Sequence, residues 1–122
     1  MGEIRSYRDL DVWRLGMKLG KDCYLLTRCF PRDELFGMTS QIRRAAASVP
    51  ANIAEGYGRD SLGDYVRFLR IAQGSLKELE THLLLAADVE LTNATAVDPI
   101  LSLCDQIGRM LRSLIRSLQQ SK

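Results

Sequence analysis

Four amphipathic stretches, separated by short helix-breaking segments, constrain this chain more than any other feature. In the third stretch Tyr65, Phe68, Ala72, Leu76, Leu79, Leu83 and Ala86 recur at three- and four-residue spacing, the period of a helix laid lengthwise on others. The fourth repeats the pattern with Ile100, Leu103, Ile107, Leu111, Leu114 and Leu118. The second supplies Met38, Ile42, Ala45, Val49 and Ile53, and the first Val12, Leu19, Cys23, Leu26 and Phe30. Strand alternation appears over no useful length. The breaks carry their own chemistry. Phe30-Pro31-Arg32-Asp33 ends the first helix, because the residue before a proline is pushed out of the α region. Gly56-Tyr57-Gly58 is expected to end the second with residues that tolerate positive φ. Asp9 or Asp11 is expected to cap the first helix and Ser61, with Asp64 behind it, the third. Asp98-Pro99 reads as the cap and first helical residue of the fourth. The expected fold is all-α: an up-down-up-down antiparallel four-helix bundle. It forms one domain over residues 1–122, with helices at about 10–28, 35–55, 62–91 and 99–118. Pro50 predicts a bend near Ala46 to Pro50 without a break.

Composition narrows the function classes. A chain that is 46% hydrophobic is not disordered, and no apolar run approaches the ~20 residues that span a membrane. Cys23, Cys29 and Cys104 form no CxxC pair and no even framework, which argues against a secreted disulfide scaffold. With no secretory pattern at the N-terminus, a cytoplasmic location is expected. A single histidine, His82, and the lack of any Glu-x-x-His pair argue against the di-metal sites that bundles often house. Glu78 and His82, one turn apart, would offer a lone metal only two ligands. The Gly56-x-Gly58 pair closes a helix rather than opening one after a strand, so it is no phosphate loop. No nucleophile and base can be named, so no enzyme activity, cofactor or metal is expected.

Two helices carry more apolar residues than one stripe needs. Trp13, Met17, Gly20 and Tyr24 form a second row on the first helix, roughly 120° from its core row at about 100° per residue. Ile71, Leu85 and Val89 lie off the main stripe of the third, and Ala47, Ala51 and Ala54 give the second a small-residue face. Scattered exposed apolar residues are normal on monomers. The alternative is a homo-oligomer whose interface uses Trp13, Met17, Tyr24, Ile71, Leu85 and Val89.

The formal charge of +2 conceals segregation. Residues 76–98 carry Glu78, Glu80, Asp88, Glu90 and Asp98 against Lys77, a balance of −4. Residues 99–122 carry Arg109, Arg112, Arg116 and Lys122 against Asp105, a balance of +3. The three arginines fall within about 60° of one another, opposite the apolar stripe. Such a row is either a solvated face suited to the helix dipole or a phosphate-neutralising strip. Arg43 and Arg44, with Glu55, Glu78 and Glu80, read as a polar network fixing the second helix on the third, with Arg43 and Glu80 as a partly buried pair. Tyr57 and Arg59 at the turn either staple it or stack on a nucleotide.

The run Leu35-Phe36-Gly37-Met38-Thr39-Ser40-Gln41-Ile42-Arg43-Arg44-Ala45-Ala46, continued by Val49-Pro50-Ala51-Asn52-Ile53-Ala54-Glu55-Gly56, resembles the signature of the four-helix proteins encoded within bacterial 23S rRNA intervening sequences. Asp9-Leu10-Asp11-Val12-Trp13 and the block Tyr65, Phe68-Leu69, Ala72, Gly74-Ser75-Leu76 and Glu78-Leu79-Glu80 match as well. The resemblance covers about residues 7–91. It implies a bundle assembled as a homopentamer without enzymatic activity. That family is similar in turn to the accessory variability determinant of diversity-generating retroelements, a basic pentamer that binds nucleic acid and a reverse transcriptase. Five copies of a +2 chain carry +10, and repeated weak sites gain avidity. The expected function is therefore a nucleic-acid or ribonucleoprotein accessory module that contacts RNA or DNA through Arg44, Arg59, Arg109, Arg112 and Arg116. The alternative is an oligomeric scaffold for a protein partner.

Overall fold

The computed structural model describes residues 2–121; Met1 and Lys122, the ends of the expected domain, lie outside the described residues. These residues form four α-helices and no strand: α1 (Asp11–Thr27), α2 (Met38–Tyr57), α3 (Leu62–Asp88) and α4 (Ala94–Gln120). Short 3-10 turns at Tyr7–Asp9 and Arg32–Glu34 precede α1 and α2. Among the described residues α1 packs on α2, α2 on α3, α3 on α4 and α4 on α1. Each stripe turns inward, and Leu19, Ile42, Ile53, Leu76, Leu79, Leu83, Ile107 and Leu111 are among the fully enclosed side chains. Leu69, Val97 and Ile115 join this core beyond the residues read from periodicity.

Several boundaries differ from the sequence reading. Neither Asp9 nor Asp11 caps α1, whose N-cap Leu10 makes no side-chain cap bond. The turn before it is capped by Ser6, which accepts the Arg8 N–H at 3.1 Å, while Asp9 accepts those of Arg5 and Ser6 at 2.9 and 3.2 Å. These bonds hold the Asp9 carboxyl below its ordinary pKa. Helix α2 begins after Gly37, with the Glu34 carboxylate accepting the Met38 N–H at 3.0 Å. It runs through Gly56, and its cap Gly58 has a φ of −79°, so no positive-φ glycine ends it. The start of α4 moves most. Asn93 accepts the Ala96 N–H at 2.9 Å, which begins the helix five residues early and leaves Pro99 inside it. Ser61 does cap α3, accepting the Asp64 N–H at 3.1 Å.

Pro50 leaves α2 unbroken, and it meets the adjacent helix. A Cβ at Gly16 of α1 would lie 3.2 Å from the Pro50 Cβ, so glycine permits this close crossing. Where α2 meets α3, a Cβ at Gly56 would lie 2.8 Å from the Phe68 Cβ. Polar contacts fix the same neighbours. The buried Thr27 hydroxyl donates to the Cys23 carbonyl at 2.9 Å and accepts from Arg43 Nε at 2.8 Å. Ser48 and Ser75 share a 2.8 Å hydrogen bond between α2 and α3, and Asn52 donates to Ser48 Oγ at 2.9 Å.

Candidate nucleic-acid interface

The arginine row of α4 lies beside α3, and the two helices form a groove. Its central hollow, about 400 Å³, is lined by Arg70, Gln73, Lys77, Arg112, Cys104 and Gly108, among others. A contiguous hollow of about 200 Å³ adds Arg116 and Gln119. Arg112 and Arg116 are one helical turn apart, about 6 Å along the axis. Arg70 reaches the same groove from α3. No ion pair among the described residues engages Arg70, Arg112 or Arg116. Three cations therefore converge on a cleft whose walls also carry the carboxamides of Gln73 and Gln119, which donate and accept. The opposite end is neutralised, because Lys77 binds Glu80 at 3.2 Å and Asp105 binds Arg109 at 2.9 Å.

The other expected phosphate contacts stand elsewhere. Arg109 lies outside the groove lining and is tied to Asp105, which lines it. Arg44 of α2 binds Glu78 of α3 at 3.0 Å, and His82 Nε2 lies 3.2 Å from the same Glu78 oxygen. The His82 ring and then the Arg44 guanidinium hold the Glu78 carboxyl below its ordinary value. Arg59 binds Glu55 at 2.6 Å and lies over the Phe68 ring at 4.7 Å, where Arg67 joins it at 4.5 Å. Tyr57 meets Tyr65 edge-on at 6.0 Å. These contacts staple the α2–α3 turn.

The expected polar network is distributed differently. Arg43 and Glu80 do not pair: Arg43 turns to Thr27 and over the Tyr24 ring at 4.5 Å, joining α2 to α1. Glu55 and Glu80 take partners on their own side, Arg59 and Lys77. Arg44 with Glu78 is the ion pair that bridges α2 and α3. Burial pushes the Cys23 and Cys104 thiols up to about 12, so both stay protonated at neutral pH.

A second surface opens between α1 and α2. Trp13, Met17, Gly20, Tyr24, Ala47 and Ala51 line an apolar groove of about 500 Å³, with Trp13 edge-on to Tyr7 at 5.2 Å. Met17 and Tyr24 are 50% and 46% exposed. Ile71 and Leu85 lie exposed on α3 and Val89 at its C-terminal cap; among the described residues α1 packs beside α2 and α4 and not directly beside α3. The two rows therefore belong to separate surfaces. No described helix is long and apolar enough to cross a membrane.

Arg70, Gln73 and Gln119 were not singled out by the sequence. A signal existed for the first two, since Arg70, Gln73 and Lys77 share one face of α3 at three- and four-residue spacing. Only the packing of α3 on α4 shows that this face meets the arginine row.

Residues 8–113 match the family described as 23S rRNA-intervening sequence protein. Among solved structures, the chain is similar to a protein of unknown function from the S23 ribosomal protein family of Bacteroides thetaiotaomicron. The two are 25% identical with a TM-score of 0.77, over 85% of this chain and 97% of the other. No curated protein matches significantly.

Proposed function

The chain belongs to the 23S rRNA-intervening sequence protein family, and from that premise we propose that it is a non-enzymatic accessory module that binds nucleic-acid backbone. The observation that carries this reading is the convergence of Arg70, Arg112 and Arg116 on the α3–α4 groove, unpaired with carboxylates among the described residues. Guanidinium forks match phosphate geometry, and cations placed on a backbone release its counterions. The reading keeps Arg112 and Arg116 from the sequence, adds Arg70 and leaves Arg44, Arg59 and Arg109 as lesser contacts.

The bundle is up-down-up-down and cytoplasmic in this proposal, and its copies form a homo-oligomer, a pentamer as the family resemblance implies. The apolar α1–α2 groove supports self-association. Gly20 lines it, and a Cβ there would meet nothing within 4 Å of its own chain. Ile71, Leu85 and Val89 give a different apolar surface to the next copy. Contacts between unlike patches build rings when the rotation closes, and a ring repeats the basic groove.

Titration with a short RNA duplex at two salt concentrations tests the function. Binding at low salt that weakens steeply as salt rises is expected. Absence of binding at low salt, or affinity indifferent to salt, would refute it. Capture of a protein partner that persists after nuclease treatment and after loss of the groove arginines would favour the scaffold instead.

A further inference from the structure

Phe36 is the most exposed large apolar side chain among the described residues, at 93% against 57% for the next, Val89. The core makes no use of it, yet its backbone is held on both sides. The Leu35 N–H donates to the Arg32 carbonyl at 3.1 Å and the Gly37 N–H to the Glu34 carbonyl at 3.0 Å. The Glu34 carboxylate also caps α2 through the Met38 N–H. The ring therefore projects from a fixed segment, and burying it against a partner orders little else.

We propose that Phe36 of one copy of this chain inserts into the α1–α2 groove of a second copy. The inference rests on the self-association proposed above and names the segment that enters the groove. Trp13 and Tyr24 wall the groove, and aromatic rings pair favourably with a further ring at centroid distances of about 4.5–7 Å. Phe36 does not fill the groove of its own chain. Ala51 and Ala54, which line it, lie about 20 and 24 Å along α2 from Met38. A hollow lined by Leu35 and Phe36 shares Tyr24 and Ala47 with the groove, so knob and groove stand on one continuous seam. Charge matches across the contact. Lys21 is the charged residue of the groove lining, and the knob segment Arg32-Asp33-Glu34 carries a net −1. Lys21 and Asp33 have no ion pair among the described residues. The area is also sufficient. A buried phenylalanine covers about 150–250 Å², roughly a quarter of the ~800 Å² that each partner gives a standard interface. Leu35, Met17 and Tyr24, each about half exposed, add to it. The α2–α3 contacts step from Gly56–Phe68 through Ser48–Ser75 to Arg44–Glu78. By that register Phe36 stands at the bundle end that carries Leu85 and Val89, which extends the apolar patch of the inserting copy.

Sedimentation equilibrium of the full chain, read together with the emission of Trp13, its single tryptophan, tests the contact. Phe36→Ser is expected to weaken self-association by about tenfold or more, as loss of a buried aromatic anchor does. Trp13 emission should shift to the red as water re-enters the groove, with helical content unchanged because the ring lies outside the core. Met17→Glu spoils the groove and leaves the knob intact. Mixing the two variants is expected to give a heterodimer, since Phe36 of one meets the unaltered groove of the other. Phe36→Ser chains that assemble like the unsubstituted protein, or a mixture that forms no heterodimer, would overturn the inference and leave self-association through another surface standing. If the unsubstituted chain were a monomer at every concentration, self-association and this inference would fall together.

Discussion

Removing the three groove arginines together, as Arg70→Ala, Arg112→Ala and Arg116→Ala, separates phosphate binding from a merely solvated basic face. All three side chains are on exposed positions, and alanine is the better helix former, so the bundle is expected to remain folded. A cation that neutralises one duplex phosphate contributes about 0.9 to the slope of log affinity against log salt, so three contribute about 2.7. Between about 50 and 200 mM salt, that slope difference amounts to about 40-fold. The unsubstituted protein is expected to lose that extra factor as salt rises, and the triple variant is not. Arg109→Ala should flatten the slope less than any single groove substitution, because Asp105 at 2.9 Å already engages that charge. Fluorescence anisotropy of a labelled RNA duplex across a salt series measures both. An unchanged slope in the triple variant would refute the groove as the phosphate site. A fall produced by Arg44→Ala or Arg59→Ala instead would do the same.

Three further outcomes follow from the packing and the charges. Gly56→Ala is expected to destabilise by about 1–3 kcal/mol through overpacking, given the 2.8 Å approach to Phe68; Gly74→Ala is expected to stabilise by about 0.5–1 kcal/mol. Urea unfolding distinguishes the two signs. Glu78, held below its ordinary 4.5 by His82 and then Arg44, contributes stability that is present above about pH 4.5 and lost as pH falls through its native value. Glu78→Gln should therefore flatten the acid limb of the stability profile. Met17→Glu places a charge in the α1–α2 groove and is expected to lower the native mass of the assembly while leaving helical content unchanged. An unchanged mass would remove that groove from the interface.

The helices were legible because their apolar stripes are long and regular, and tertiary packing used them as periodicity suggested. Boundaries were less so. Asp98-Pro99 imitates a helix start, yet Asn93 supplies an equally good cap and Val97, 1% exposed, is drawn into the core. The extra buried residue favours the earlier start, even with proline inside the helix. The end of α3 was legible only to within a few residues. Glu90 adopts a φ of 66°, and the Leu91 N–H reaches back to the Ala86 carbonyl at 2.9 Å, a left-handed cap made without the usual glycine. The basic site was half visible. Arg112 and Arg116 stand out because they repeat on one helix, whereas Arg70 gains meaning only when α3 lies against α4. Arg43 shows the converse limit. Its position at a stripe border indicated partial burial, but a border residue can turn to either flanking helix, and Arg43 turns to Thr27 and Tyr24 of α1 rather than to Glu80 of α3.

Photocrosslinking of bound RNA followed by peptide mapping tests the central claim most directly. Crosslinks are expected within residues 70–77 of α3 and 104–119 of α4, facing each other across the groove. Crosslinks confined to α1 and α2, with α3 and α4 unmarked at saturating RNA, would contradict it.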